Sequence, residues 1–307
     1  MRVVFFGTPE FAVPSLEALL GEGFDVVAAV TRADKPAGRS RSETVPPPVK
    51  TAAQAEDVPL LQPDRPTRPE FLGRLRALAP DVGVVVAYGH ILTPELLALP
   101  RHGMVNVHPS LLPELRGAAP IEWAILNGLT RTGVTIMQME AGVDSGPILL
   151  QIPHDIDPEI TGGELSEHLS EMGAQALVEA LALLETNQLT PRPQDHARAT
   201  YAPKVTRETR RIRWSDPAER IVRVIRAFDP APGAWTALDE REVKLFGAKL
   251  VEGAGSPGEI QTTDDGLRIS TGQGGVAIDE VQPAGRARMA AVEWLRGRGA
   301  QAGQRFS

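Results

Sequence analysis

The sequence predicts a doubly wound, Rossmann-like α/β domain followed by a smaller β-barrel (OB-like) domain. Three observations lead there. At 307 residues the chain is about twice the usual length of one domain. Its first half alternates short, uninterrupted apolar runs with amphipathic stretches, the pattern of parallel strands buried on both faces. Its last third holds apolar runs broken by Gly, Asp and Pro, the pattern of antiparallel strands joined by tight turns.

The elements follow in order. Residues 3–6 form an apolar run ended by Gly7 and read as the first strand; 14–20 reads as helix, with Leu16, Leu19 and Leu20 on one face. Runs at 26–30, 60–61, 82–87, 104–108 and 134–139 read as further buried strands, and 71–78 as helix. From 163 to 184, Leu165, Leu169, Met172, Leu177, Leu181 and Leu184 recur at helical spacing. Residues 190–203 hold three prolines and little apolar periodicity. A linker is therefore expected over 190–205, between a catalytic domain at 1–189 and a C-terminal domain at 206–307. In the latter, 217–228 and 290–298 read as helices, and 243–250, 258–262, 267–270 and 276–282 as short strands.

Composition narrows the function. The chain has no cysteine, which excludes disulfides, Cys-based zinc sites and thiol nucleophiles. No segment approaches the ~18 uncharged apolar residues of a membrane span, and the N-terminus reads as strand and turn rather than signal peptide. A cytoplasmic protein is expected. The net charge of −7 is uneven: residues 1–205 carry 16 Lys+Arg against 25 Asp+Glu, and 206–307 carry 16 against 14. That balance permits a local nucleic-acid contact without requiring one.

Gly-x-Gly-x-x-Gly, a Walker loop and His-Glu-x-x-His are all absent. Gly7-Thr8-Pro9 reads as a tight strand-to-helix turn, because Pro9 removes an N–H that a phosphate cradle would use. The densest chemistry lies at Asn106-Val107-His108. Two residues apart on a strand, Asn106 and His108 point to one face, at the carboxyl end of an α/β sheet where ligands bind. An amide donor beside an imidazole suits acyl chemistry, one stabilising an oxyanion and the other shuttling a proton. Asp144, in a Gly-flanked loop past a buried strand, could turn back toward His108 and fix its tautomer. Taken alone, each of these residues is more often satisfied by its own loop backbone.

The surrounding text favours the chemical reading. Asn106-x-His108, then Ser110-Leu111-Leu112-Pro113, and Asp144 within Gly142-Val143-Asp144-Ser145-Gly146, resemble the folate-dependent formyltransferase family. The resemblance runs over essentially the whole chain and is nearest to the branch that acts on initiator methionyl-tRNA. It includes Phe6-Gly7-Thr8-Pro9-Glu10-Phe11, Asp34-Lys35-Pro36-Ala37-Gly38-Arg39, Val86-Ala87-Tyr88-Gly89, Arg116-Gly117-Ala118-Ala119-Pro120 and Gln282-Pro283-Ala284-Gly285-Arg286. Departures are small. Pro109 stands where Gly or Ala is usual in that branch, and Glu114-Leu115 where a basic and an aromatic residue are usual.

Carried over, the resemblance implies Asn106, His108 and Asp144 as the catalytic set and Ser110, Leu111, Leu112 and Pro113 as the folate lining. It implies 10-formyltetrahydrofolate as co-substrate, no metal, and initiator methionyl-tRNA as partner to a monomeric enzyme. The stretch 31–50 carries five Lys or Arg against two acids, within an otherwise acidic domain. In the family this loop enters the tRNA acceptor end. Arg39 matches the arginine that does so, with Arg41 and Lys35 beside it. Arg207 and Arg210, with Arg211, Arg213, Arg220 and Arg223, would meet phosphates. The rival readings are a formyltransferase for glycinamide ribonucleotide or an amino sugar, a formyl-folate hydrolase, and an RNA-binding protein that uses the C-terminal domain alone.

Overall fold

The computed structural model describes residues 1–37, 43–253, 255–263 and 266–307. The chain divides into two compact units. The first comprises Met1–Gly117, Arg131–Asp155 and Ser166–Tyr201; the second comprises Ala118–Thr130, Ile156–Leu165 and Ala202–Ser307.

The first unit is built on a seven-stranded sheet. Its strands are β1 (Arg2–Gly7), β2 (Asp25–Val30), β3 (Leu60–Leu61), β4 (Val82–Val86), β5 (Met104–His108), β6 (Arg131–Gln138) and β7 (Ile148–Asp155), in spatial order β7-β6-β5-β4-β1-β2-β3. Pairings from β3 across to β5 are parallel, while β6 runs antiparallel to both β5 and β7. The central strands are buried at nearly every position. That explains why they read as continuous apolar runs rather than alternating ones. The chain moves outward from β1 to β2 and then crosses back to β4, so the order reverses at β1, the place in such sheets where ligands bind. Val4, Phe6, Leu72, Leu75, Leu96 and Met104 belong to the core on one face.

β7 was absent from the sequence expectation for a physical reason. It is an edge strand, mostly half-buried, with Gln151, Pro153 and His154 interrupting its apolar residues. The long helix expected at 163–184 is present as Gly162–Glu185. Its start is fixed by Thr161 and Glu164. Thr161 Oγ1 accepts from the Glu164 N–H at 3.2 Å, and the Glu164 carboxylate accepts from the Thr161 N–H at 2.9 Å.

The second unit carries a six-stranded antiparallel sheet: β8 (Ala234–Leu238), β9 (Arg241–Val251), β10 (Ile260–Thr263), β11 (Gly266–Ser270), β12 (Gly275–Pro283) and β13 (Met289–Ala290). The order is β8-β9-β12-β11-β10, with β13 also on β12. The final residues join its two edges. Ser307 N donates to Ala237 O on β8 at 2.9 Å, and Ile260 N on β10 donates to Gln304 O at 2.8 Å. The sheet thus closes on itself through the tail, with Phe306 stacked against Trp214 at 5.7 Å and Trp294 at 6.4 Å. β8, unforeseen in the sequence, alternates buried and half-buried residues directly after Pro230, Pro232 and Gly233.

Two features run across the boundary expected at 189–206. Residues 118–130 and 156–165 lie within the stretch read as catalytic domain, yet they cluster with 202–307. The stretch read as linker is also hydrogen-bonded into the first unit. Arg192 pairs with Ile148, and Thr200 receives the N–H groups of Leu115 and Arg116. Its polar anchoring leaves no apolar period to read. No helix among the described residues is long and apolar enough to cross a membrane.

Candidate active site

At the carboxyl end of β5 the backbone leaves the sheet into the loop 109–117, and a ring of hydrogen bonds shapes that loop. Ser110 Oγ donates to Glu114 O at 2.6 Å, and Thr135 Oγ1 on β6 donates to Ser110 O at 2.6 Å while accepting from Leu112 N at 3.1 Å. Gln151 Nε2 adds a bond to Leu112 O at 2.9 Å. The result presents Leu115 O to His108.

Asn106 and His108 pair across to Met137 and Thr135 on β6, so they share one face of β5 as a period of two requires. His108 is 4% exposed. Its Nε2 lies 3.0 Å from Leu115 O. A carbonyl only accepts, so Nε2 carries the proton and the neutral ring keeps its lone pair on Nδ1. That nitrogen lies 3.7 Å from Asp144 Oδ2. Asn106 is 9% exposed, and its side-chain amide makes no hydrogen bond to the described residues. The site therefore holds an unspent amide donor, a base with a free lone pair, and a carboxylate placed to balance the charge when that base takes a proton.

Asp144 sits in the left-handed region at φ 46°, and Leu115 at φ 56°. Both are strained positions for residues bearing a Cβ. The bonds around Asp144 hold it there. Gly117 N donates to its Oδ2 at 2.8 Å, and Gln194 Nε2 donates to its backbone oxygen at 2.9 Å. Gln194 Oε1 in turn accepts from Arg116, whose guanidinium also reaches His196 Nδ1 at 3.0 Å. In the sequence Arg116 stands out only as part of a motif, and Gln194 and Thr135 do not stand out at all. A glutamine in a Pro-rich stretch gives no periodic signal.

The folate-lining candidates divide by burial. Ser110 and Leu112 are buried, Leu112 against Met137 and Ile148, while Leu111 and Pro113 are half-buried. Past β4, Tyr88 is buried and its hydroxyl is pushed up to about 12 by burial, against the opposing charge of Arg32. His90 beside it is pushed below its usual range by burial and then by Arg32. Thr8 Oγ1 donates to Tyr88 O at 3.1 Å, tying the first turn to this edge.

Of the basic candidates, Lys35 lies exposed on a short strand, Lys35–Ala37, paired with Glu43–Val45. Arg39 and Arg41 lie outside the described residues. The base of that segment is tied by Asp34, which accepts from Lys50 Nζ at 2.8 Å and Gln62 Nε2 at 2.9 Å. The Gln62 bond first, and Lys50 second, hold its carboxyl below the usual range. Arg207 is engaged by Glu242 at 2.7 Å and lies over the Trp235 ring at 4.1 Å; Arg210 donates to Gly233 O at 3.1 Å. Arg211, Arg213, Arg220 and Arg223 line a groove of about 490 Å³ with Trp123 and Asn127.

Residues 1–181 match the Formyl transferase family, and residues 204–299 match Formyl transferase, C-terminal domain. A relative from Magnetococcus marinus, methionyl-tRNA formyltransferase, is 47% identical over 306 residues, covering 99% of this chain and 98% of its own. The methionyl-tRNA formyltransferase of Geobacillus thermodenitrificans is 48% identical, covering 98% and 95%. Among solved structures, an N-formyltransferase from Helicobacter canadensis with folinic acid and dTDP-3-aminofucose matches with TM-score 0.70 at 19% identity, over 92% of this chain and 99% of that one. HypX from Aquifex aeolicus with tetrahydrofolic acid matches with TM-score 0.68 at 21% identity, over 96% of this chain and 47% of that longer protein.

Proposed function

The chain belongs to the formyl transferase family, and on that premise we propose that it transfers a formyl group from 10-formyltetrahydrofolate to the α-amino group of initiator methionyl-tRNA. Identity of 47 and 48% over nearly the full length to methionyl-tRNA formyltransferases carries the choice of acceptor. The pairing of His108 with Leu115 O and Asp144, beside an Asn106 amide with no partner among the described residues, supports the chemistry.

The α-amine attacks the formyl carbon, and the carbonyl oxygen gathers negative charge in a tetrahedral intermediate. The Asn106 amide stabilises that oxygen, and its contribution is greatest where the charge is greatest. The attacking nitrogen must lose a proton. His108 Nδ1 takes it, and Asp144 balances the resulting imidazolium. When the C–N10 bond breaks, the same proton passes to N10, so the ring returns to its starting state. Donors are spent where charge develops, and the proton never leaves the site.

The tRNA would be held by Lys35, Arg39 and Arg41 at its acceptor end and by the C-terminal unit along its phosphates. The deciding assay is formyl transfer from 10-formyltetrahydrofolate to initiator methionyl-tRNA, run beside glycinamide ribonucleotide and an amino sugar. Formylmethionyl-tRNA as the product, with the small amines unreacted, is expected. Faster transfer to a small amine would overturn the assignment, and release of formate without transfer would favour the hydrolase reading.

A further inference from the structure

We infer that Gln194 is a positioning residue for this reaction, acting through the Asp144 loop; the inference rests on the role just given to Asp144. Gln194 comes 50 residues after Asp144 in sequence and is 6% exposed. Every hydrogen-bonding position of its amide is used. The two N–H bonds go to Asp144 O at 2.9 Å and Gly146 O at 2.7 Å, and Oε1 accepts from Arg116 Nε at 3.1 Å and a terminal nitrogen at 2.6 Å.

One side chain thus grips the loop twice on its backbone. It also fixes Arg116, the residue before Gly117, whose N–H is the donor to the Asp144 carboxylate. Arg116 is 4% exposed and has no carboxylate partner among the described residues; its other side-chain acceptor is His196 Nδ1. Both the backbone of Asp144 and the donor that orients its carboxylate are therefore referred to the same amide.

The loop needs such a grip. Asp144 is held at φ 46°, a conformation that L-residues leave when released. Its neighbour Gly146 runs so close to the β6 end that a Cβ there would stand 1.9 Å from Gln138 O. At 3.7 Å from Nδ1, Asp144 must close by almost 1 Å to bond the protonated ring. Misplacements of about 1 Å in such sites cost up to roughly 10²-fold in rate. A carboxylate loop that relaxed toward ordinary backbone angles would lose that approach while leaving His108, Asn106 and the folate-lining loop where they are.

Gln194→Glu tests this in the full-length protein. It keeps the shape and the acceptor toward Arg116 and removes both donors to the loop. The expected result is a fall in kcat of about 10- to 100-fold, with KM for both substrates within roughly threefold. In an Asp144→Asn background the same change should have no further effect, since the step it serves is already gone.

An equal fall in kcat in both backgrounds, or a lower Tm with kcat unchanged, overturns the inference while leaving the Asp144 reading intact. Wild-type kcat in Asp144→Asn alone overturns both. Should Gln194→Glu not fold, Gln194→Asn, which places the amide on a shorter arm, carries the same readouts.

Discussion

Among the described residues the Asn106 amide has no hydrogen-bond partner, in a site otherwise dense with satisfied groups. Such a donor contributes little to folding and is available to substrate. Asn106→Ala is therefore expected to lower kcat by at least ~10²-fold, the scale of one oxyanion donor, with KM for folate and tRNA and the melting temperature nearly unchanged. Steady-state kinetics beside a thermal melt checks both halves, and near-normal kcat would remove Asn106 from the site. At this scale the sequence was informative wherever a residue's neighbours also carried a pattern. Asn106, His108 and Asp144 stand in runs of small and apolar residues that mark a strand end or a Gly-flanked loop. Leu115 contributes only a carbonyl, and Gln194 sits among prolines; neither function leaves a mark in side-chain type.

Elements were legible in proportion to their burial. The inner strands β1, β4 and β5 announce themselves because both faces are covered, whereas the half-exposed β7 is interrupted by polar residues and proline. The β6–β7 pair shows what such an edge does for the site. A Cβ on Gly133 of β6 would stand 2.2 Å from Ile152 O on β7 and 2.7 Å from Leu111 Cδ2. The first neighbour is backbone and cannot rotate away. Gly133→Ala should cost about 1–3 kcal/mol through overpacking, a loss of several degrees in Tm. It should also raise KM for 10-formyltetrahydrofolate more than it lowers kcat, because the displaced Leu111 belongs to the proposed folate lining. Unchanged folate KM in a destabilised variant would take Leu111 out of that lining. The segment around Lys35 makes a separate prediction. Arg39→Ala should lower kcat/KM for methionyl-tRNA while leaving the slow hydrolysis of formyl folate alone; equal use of tRNA by both proteins would reduce the segment to a solvated loop.

At the scale of the whole molecule, each compact unit draws on more than one stretch of the chain. The helix Pro120–Leu126 packs with Ala218–Ala227, and Trp123 Nε1 donates to Pro203 O at 2.8 Å, so residues deep in the first half depend on the second for cover. Such long-range pairing has no local signature. Its consequence is that a chain ending near Gln194, which retains every strand of the first sheet, would lose Thr200 from the Leu115–Arg116 loop and uncover the buried Ala124 and Ile125. It should aggregate or melt well below the full chain, and a truncation is then a poor test of tRNA binding. Point changes in the intact protein are the better one. Arg213 and Arg220 line the groove beside Trp123 and, among the described residues, are paired with Glu208 and Asp216, at 3.4 and 3.3 Å near the surface. Exposed pairs of this kind are worth about 0–1 kcal/mol, so either arginine can exchange its carboxylate for a phosphate at little cost. Arg207, pinned between Glu242 and Trp235, is less free to do so. Affinity for initiator tRNA should fall as salt rises, by about 0.7–0.9 in the log–log slope for each phosphate contacted. Arg213→Gln with Arg220→Gln should flatten that slope by one to two contacts at unchanged Tm, whereas Arg207→Gln should lower Tm and flatten it less. Anisotropy across a salt series measures the slopes, and a thermal melt measures the Tm of each variant. A slope untouched by Arg213→Gln with Arg220→Gln would show that the groove does not face the tRNA, whatever the acceptor of the formyl group.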